Sequence, residues 1–132
     1  VTAAFRYFAQ QKGGHLAVIS SIAGTKGLGA APAYSATKRF QNTYIDALEQ
    51  LAHIQKLPIR FTDIRPGFVA TGLLNDGKHY PMLMHTEKVA RHIVCALEKK
   101  KRIVVIDWRY RILVALWRLI PPFLWKRMTV RN

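Results

Sequence analysis

Acidic residues are scarce in this chain and cysteine is nearly absent. Seven Asp and Glu stand against 21 Lys and Arg in 132 residues, for a formal net charge of +14. Cys95 is the only cysteine, which excludes an intrachain disulfide. It falls in Ala90-Arg-His-Ile-Val-Cys-Ala-Leu97, an apolar helix pattern, and reads as a small core residue. His79, His85 and His92 are spread over a loop and a helix without ligand spacing, so no metal site is expected. The sequence has no internal repeat and no low-complexity segment. Near its end an apolar run, Ile112 to Trp125, is fourteen residues with one charge, Arg118. That is short of the ~20 residues a bilayer-spanning helix needs, and Pro121-Pro122 interrupts it.

The length allows one domain at most. Residues 1–11 suit the end of a helix stopped by Gly13-Gly14. His15 to Ser20 is a short apolar run that suits a buried parallel strand. A loop rich in Gly and Ala follows, from Ser21 to Ala33, whose small residues let a ligand approach the backbone. Tyr34 to about Gln55 carries apolar residues near a 3.6 period, including Phe40, Tyr44, Leu48 and Leu51, and is predicted helical. Ile59 to Ile64 alternates like a strand and Pro66-Gly67 turns it. Thr86 is placed to cap a helix from Glu87 to about Lys100, and Arg102 to Asp107 is the next strand. The alternation predicts an α/β fold: a parallel sheet with helices on its faces over residues 1–107, followed by a basic tail, 108–132.

The most informative stretch is Tyr34-Ser-Ala-Thr-Lys38, thirteen residues after Ser21. Tyr and Lys at i and i+4 share one helix face. A lysine ammonium near a phenol favours the phenolate, and a phenol so tuned can give or take a proton at a substrate oxygen. A serine hydroxyl at a strand end can hydrogen-bond the same oxygen. The set suggests chemistry on a carbonyl or an alcohol.

Three segments carry a resemblance: Gly14-His-Leu-Ala-Val-Ile-Ser-Ser-Ile-Ala-Gly24, Pro32-Ala-Tyr-Ser-Ala-Thr-Lys38, and Arg65-Pro-Gly-Phe-Val-Ala-Thr71. In order and spacing they resemble the short-chain dehydrogenase/reductase family, over roughly residues 1–107. The resemblance implies a Rossmann-like sheet and an NAD(P)-dependent oxidoreductase, with NAD or NADP left open. It implies Tyr34 as general acid/base. Lys38 would tune Tyr34 and bind the nicotinamide ribose. Ser21 would polarise the substrate carbonyl, with the adjacent Ser20 as runner-up. By the same resemblance Pro66, Gly67, Val69 and Thr71 form the loop that holds the nicotinamide, the carboxamide lying near the backbone of Val69. Family members also open with a Gly-rich dinucleotide motif and carry an Asn on the helix before the serine strand. Gly24-Thr-Lys-Gly27-Leu-Gly29 does not match that motif, and the Asn would fall before Val1. The chain therefore reads as the C-terminal half of such an enzyme. The rival reading is a truncated, non-catalytic member acting as a dimerising or membrane-surface module.

The implied substrate is a small carbonyl or alcohol. Apolar Phe68, Leu73, Leu74, Met82, Leu83 and Met84 hint that it is hydrophobic. A homodimer or tetramer follows from the resemblance, with Phe40, Tyr44, Leu48 and Leu51 as candidate contacts. Residues 99–132 hold ten Lys and Arg and one acid, net +9, against +5 for the residues before them. Basicity concentrated in an apolar tail with Trp108, Trp117 and Trp125 points away from nucleic acid. It leaves two roles for 108–132: a lid or dimer contact, or an anionic membrane surface met through Arg109, Arg111, Arg118, Lys126 and Arg127. The location implied is cytoplasmic, with peripheral membrane attachment as an option.

Overall fold

The computed structural model describes residues 1–72 and 80–130. Three strands form one parallel sheet in the order β1-β2-β3: β1 (Gly14–Ile19), β2 (Ile59–Arg65) and β3 (Ile103–Val105). Parallel neighbours need long crossovers, and helices supply them. Helix α1 (Thr2–Gln10) precedes β1. A 3-10 turn (Ile22–Thr25) and the long α2 (Pro32–Ile54) connect β1 to β2, and α3 (Thr86–Glu98) leads into β3. Two helices close the chain, α4 (Trp108–Leu119) and α5 (Pro122–Trp125). The order and the helix-flanked parallel sheet agree with the α/β expectation.

Each face of the sheet has its own core. Phe5 from α1, Leu16 from β1, Ile45, Leu48 and Ala52 from α2, and Ile59 and Phe61 from β2 pack on one side. On the other, Ile64 and Ile106 meet Ile22, Met84, Val89 of α3, and Tyr110, Val114 and Trp117 of α4. The division follows the period of two along β2: Ile59, Phe61, Asp63 and Arg65 face α2, and Ile64 faces α4. The tail thus shares a core with the sheet through Tyr110, Val114 and Trp117.

Three helix ends use one device. Lys12, Lys56 and Lys100 adopt the left-handed conformation just past α1, α2 and α3, at φ 54°, 55° and 49°. Behind each, the next residue's N–H returns to the helix: Gly13 to Phe8, Leu57 to Ala52 and Lys101 to Ala96, at 3.0, 2.8 and 3.1 Å. These paired returns satisfy carbonyls the helix end leaves open.

Several expectations are corrected. Cys95 is exposed rather than buried, because the inward face of α3 is set by Val89, Ile93, Ala96 and Leu97. The residue capping α3 is His85, without a side-chain bond, and Thr86 begins the helix. The third strand holds three residues instead of six, since Asp107 is already the cap of α4. Strand β1 is at the edge of the three-stranded sheet and is only partly buried. Leu73, Leu74 and His79 lie outside the described residues.

Candidate active site

Ser21, Tyr34 and Lys38 are assembled at the C-terminal end of the sheet by the loop between β1 and α2. Ser21 caps the 3-10 turn: its Oγ accepts from Ala23 N at 3.1 Å and donates to Pro66 O over 3.4 Å. The second bond is long, so the hydroxyl proton is weakly held. Pro32 starts α2, where its missing N–H costs nothing and its fixed φ suits the first turn. That places Tyr34 in the first turn and Lys38 one turn on. Tyr34 is 44% exposed, and its hydroxyl has no hydrogen bond among the described residues. Lys38 Nζ lies 5.7 Å from the Tyr34 ring centroid and donates to Ile19 O at 3.2 Å. Burial lowers the Lys38 pKa below the usual lysine value.

Beneath this surface lies a buried polar cluster that the sequence reading did not single out. Ser20 Oγ donates to the Asp63 carboxylate. Asn42, one turn beyond Lys38, donates to Ser20 Oγ at 2.9 Å and to Asp63 Oδ2 at 2.8 Å. Arg65 adds a bond from Nε at 2.7 Å and an ion pair at 2.6 Å to the same carboxylate. Asp63 is wholly buried. The cluster joins α2, the end of β1 and β2, and so fixes the distance between the Ser21 and Tyr34 backbones. Ser20 is turned into it, whereas the Ser21 hydroxyl points to Pro66 O. Gly24 permits the close approach of loop and helix: a Cβ there would stand 2.3 Å from Asn42 Oδ1 and 2.8 Å from the Lys38 backbone. Ser35 fastens the loop from the other side, its hydroxyl 2.7 Å from Ala23 O and 2.8 Å from Lys26 O, and accepts from Leu28 N at 3.2 Å.

The loop after β2 is held from beyond. Tyr110 of α4 is buried, and its hydroxyl accepts from Phe68 N at 3.1 Å and donates to Pro81 O at 3.0 Å. A Cβ on Gly67 would meet the Tyr110 ring at 2.2 Å, so only glycine fits. Ala70 N and Phe68 O are both bonded to Met84, each at 2.9 Å. That pairing leaves the N–H and C=O of Val69, between them, turned the other way and in no hydrogen bond among the described residues. Thr71 is exposed at the loop end. Pro66 touches the site directly, as the acceptor for Ser21.

The tail grips the other loop. Trp117 Nε1 donates to Thr25 Oγ1 at 2.9 Å, Trp125 Nε1 to Gly27 O at 2.6 Å, and Lys26 Nζ to Ile120 O at 2.6 Å. Lys26 also stands 5.1 Å over the Trp125 ring. A cleft of about 560 Å³ opens beside this loop, lined by residues that include Leu28, Pro32, Ala36 and Arg39.

Comparison with known proteins agrees with the fold. The family described as short chain dehydrogenase matches residues 1–80, more than half of the chain, and the protein belongs to that family. An uncharacterized oxidoreductase of Mycobacterium tuberculosis is 33% identical over 115 residues, 87% of this chain and 45% of the relative. Dehydrogenase/reductase SDR family member 7B of Bos taurus is 33% identical over 131 residues, 90% of this chain and 40% of the relative. The chain thus spans a little under half the length of these curated relatives. Among solved structures, a short chain dehydrogenase from Burkholderia cenocepacia in complex with NADP superposes with a TM-score of 0.78 at 17% identity, covering 96% of this chain and 53% of that one. At that identity the likeness is one of fold.

Proposed function

We propose that the whole protein containing this chain is an NAD(P)-dependent oxidoreductase that interconverts a carbonyl and an alcohol at Ser21, Tyr34 and Lys38. The observation that carries the reading is the placing of a free phenol, a half-buried lysine and a weakly held serine hydroxyl together at one end of a parallel sheet. Ligands of open α/β folds bind at that end.

The residues present fit a nicotinamide nucleotide. The unpaired backbone of Val69 offers a donor and an acceptor of the kind a carboxamide needs, beside Pro66, Gly67 and Thr71. Lys38 offers an ammonium to ribose hydroxyls. When bound, the nicotinamide supplies or accepts the hydride at the substrate carbon. Ser21 donates its proton to the substrate oxygen in exchange for its 3.4 Å bond to Pro66 O. Tyr34 gives its phenolic proton to that oxygen in reduction and takes it back in oxidation. Lys38 stabilises the negative charge that develops on the phenol oxygen. NADP in the Burkholderia structure supports nucleotide use without selecting between NAD and NADP here. Leu83, exposed beside the loop, is placed to meet an apolar substrate, whereas Phe68, Met82 and Met84 pack into the core. We also read the enzyme as a homo-oligomer.

Lys38→Met tests the double role of the lysine. In the full-length enzyme it should lower turnover and weaken NADH or NADPH binding together, measured by assay and by fluorescence titration. Unchanged nucleotide affinity would remove the ribose role.

A further inference from the structure

Helix α4 has two apolar faces, and the fold uses one. Tyr110, Val114 and Trp117 enter the core. At about 100° per residue, Trp108, Ile112, Leu116 and Leu119 fall within an arc of about 80° on the opposite side. They are 66%, 51%, 59% and 79% exposed. Such a row of large apolar side chains differs from the scattered exposed residues that any surface carries.

The borders of the row are cationic. Arg111 and Arg118 flank it on the same side, both exposed, and neither has an ion-pair partner among the described residues. The one acid of residues 99–132, Asp107, is already engaged by Arg109 at 2.9 Å and by Lys88 at 3.8 Å. Arg109, counted in sequence with the tail cations, is therefore partly neutralised. No helix of the described residues is long and apolar enough to cross a membrane.

We propose that this outer face of α4 docks in the plane of an anionic lipid surface. Ile112, Leu116 and Leu119 enter the acyl boundary, Trp108 sits at the head-group level, and Arg111 and Arg118 extend to lipid phosphates. Charge decides between a bilayer and a second copy of the chain. An isologous pair through this face would bring its unpaired Arg111 and Arg118 toward their own copies, whereas an anionic surface neutralises them. The inner face of α4 holds the loop beside Ser21 and Tyr34 through Trp117. Docking would therefore orient the site opening relative to the lipid without depending on the catalytic reading.

The test uses the full chain with vesicles of phosphatidylcholine, with and without phosphatidylglycerol, in co-sedimentation and fluorescence quenching by brominated lipids. Binding to anionic vesicles is expected, with quenching that Trp108→Phe removes, since Trp117 and Trp125 are packed against the protein. Leu116→Ser with Leu119→Ser keeps every charge and should reduce partitioning about tenfold or more. Arg111→Gln and Arg118→Gln should each weaken it about fivefold at low salt, with the difference shrinking as salt rises. Three results overturn the proposal. One is no binding. Another is binding that the serine variant leaves unchanged, which is attraction by total charge alone. The third is a serine variant that alters molecular mass in light scattering while vesicle binding stays the same, which makes the face a contact between copies. The quenching arm uses the unaltered tail, so it reads out even if the serine variant folds poorly.

Discussion

Asp63 shows how little of a buried cluster a sequence displays. Ser20, Asn42, Asp63 and Arg65 are ordinary polar residues in the chain, and three-dimensional pairing alone makes them a unit. The one available signal is Asp63 and Arg65 on the inward parity of β2. Tyr110 escaped notice likewise, because it reads as one more aromatic of the tail until its ring is found against Gly67. The proposed site residues Ser21, Tyr34 and Lys38 stand out in the sequence because their spacing is local and their chemistry specific. Removing the Asp63 carboxylate leaves the buried Arg65 guanidinium unpaired. Asp63→Ala should therefore destabilise the fold by about 3–5 kcal/mol, read as a shift in the urea midpoint. A shift within error would mean the cluster contributes nothing to holding α2 on the sheet.

At the scale of elements, patterns with a strong period were readable and their ends were not. The 3.6 period of α2 and the alternation of β2 place both helix and strand within about two residues of where they lie. The Lys12, Lys56 and Lys100 turns were unreadable because glycine is the usual signal there, and these helices end on lysine. The run Arg102 to Asp107 predicts a strand through Asp107, yet this residue caps α4 at φ 73° and accepts from Arg109 N at 3.0 Å. The Arg109 side chain beside it, then the backbone bond, hold its pKa at about 2, below the usual carboxylate range. A depressed acid pKa stabilises the fold above the unfolded value and ceases to do so as pH falls through the folded one. Its contribution is thus complete above about pH 4 and disappears toward pH 2. Asp107→Asn should flatten the loss of stability across that window in acid-denaturation curves. An identical acid limb in the variant would show that Asp107 takes no part.

For the molecule as a whole, the described residues bring the proposed site residues to one end of the sheet and leave apolar helix faces exposed. Among the described residues are three strands, two cores and the loop between β1 and α2, in a chain a little under half the length of its curated relatives. The exposed row on α2 fits the homo-oligomer reading. Phe40 and Ile54 are widely exposed, Leu51 about half as much, and they lie on one side of the helix, whereas Leu48 serves the core. Light scattering of the full-length enzyme should give a dimer or larger, and Phe40→Glu with Leu51→Glu should reduce it to a monomer. A monomer before mutation would remove that reading. The central claim is that Tyr34 moves the proton. Its most direct measurement is the NAD(P)H-linked reduction of a panel of apolar ketones by the full-length enzyme and by Tyr34→Phe. The phenylalanine keeps the ring beside Lys38 and deletes only the hydroxyl. The account predicts a loss of about 10²–10⁴ in kcat with nucleotide affinity retained. Turnover within a few-fold of the unaltered enzyme would contradict it.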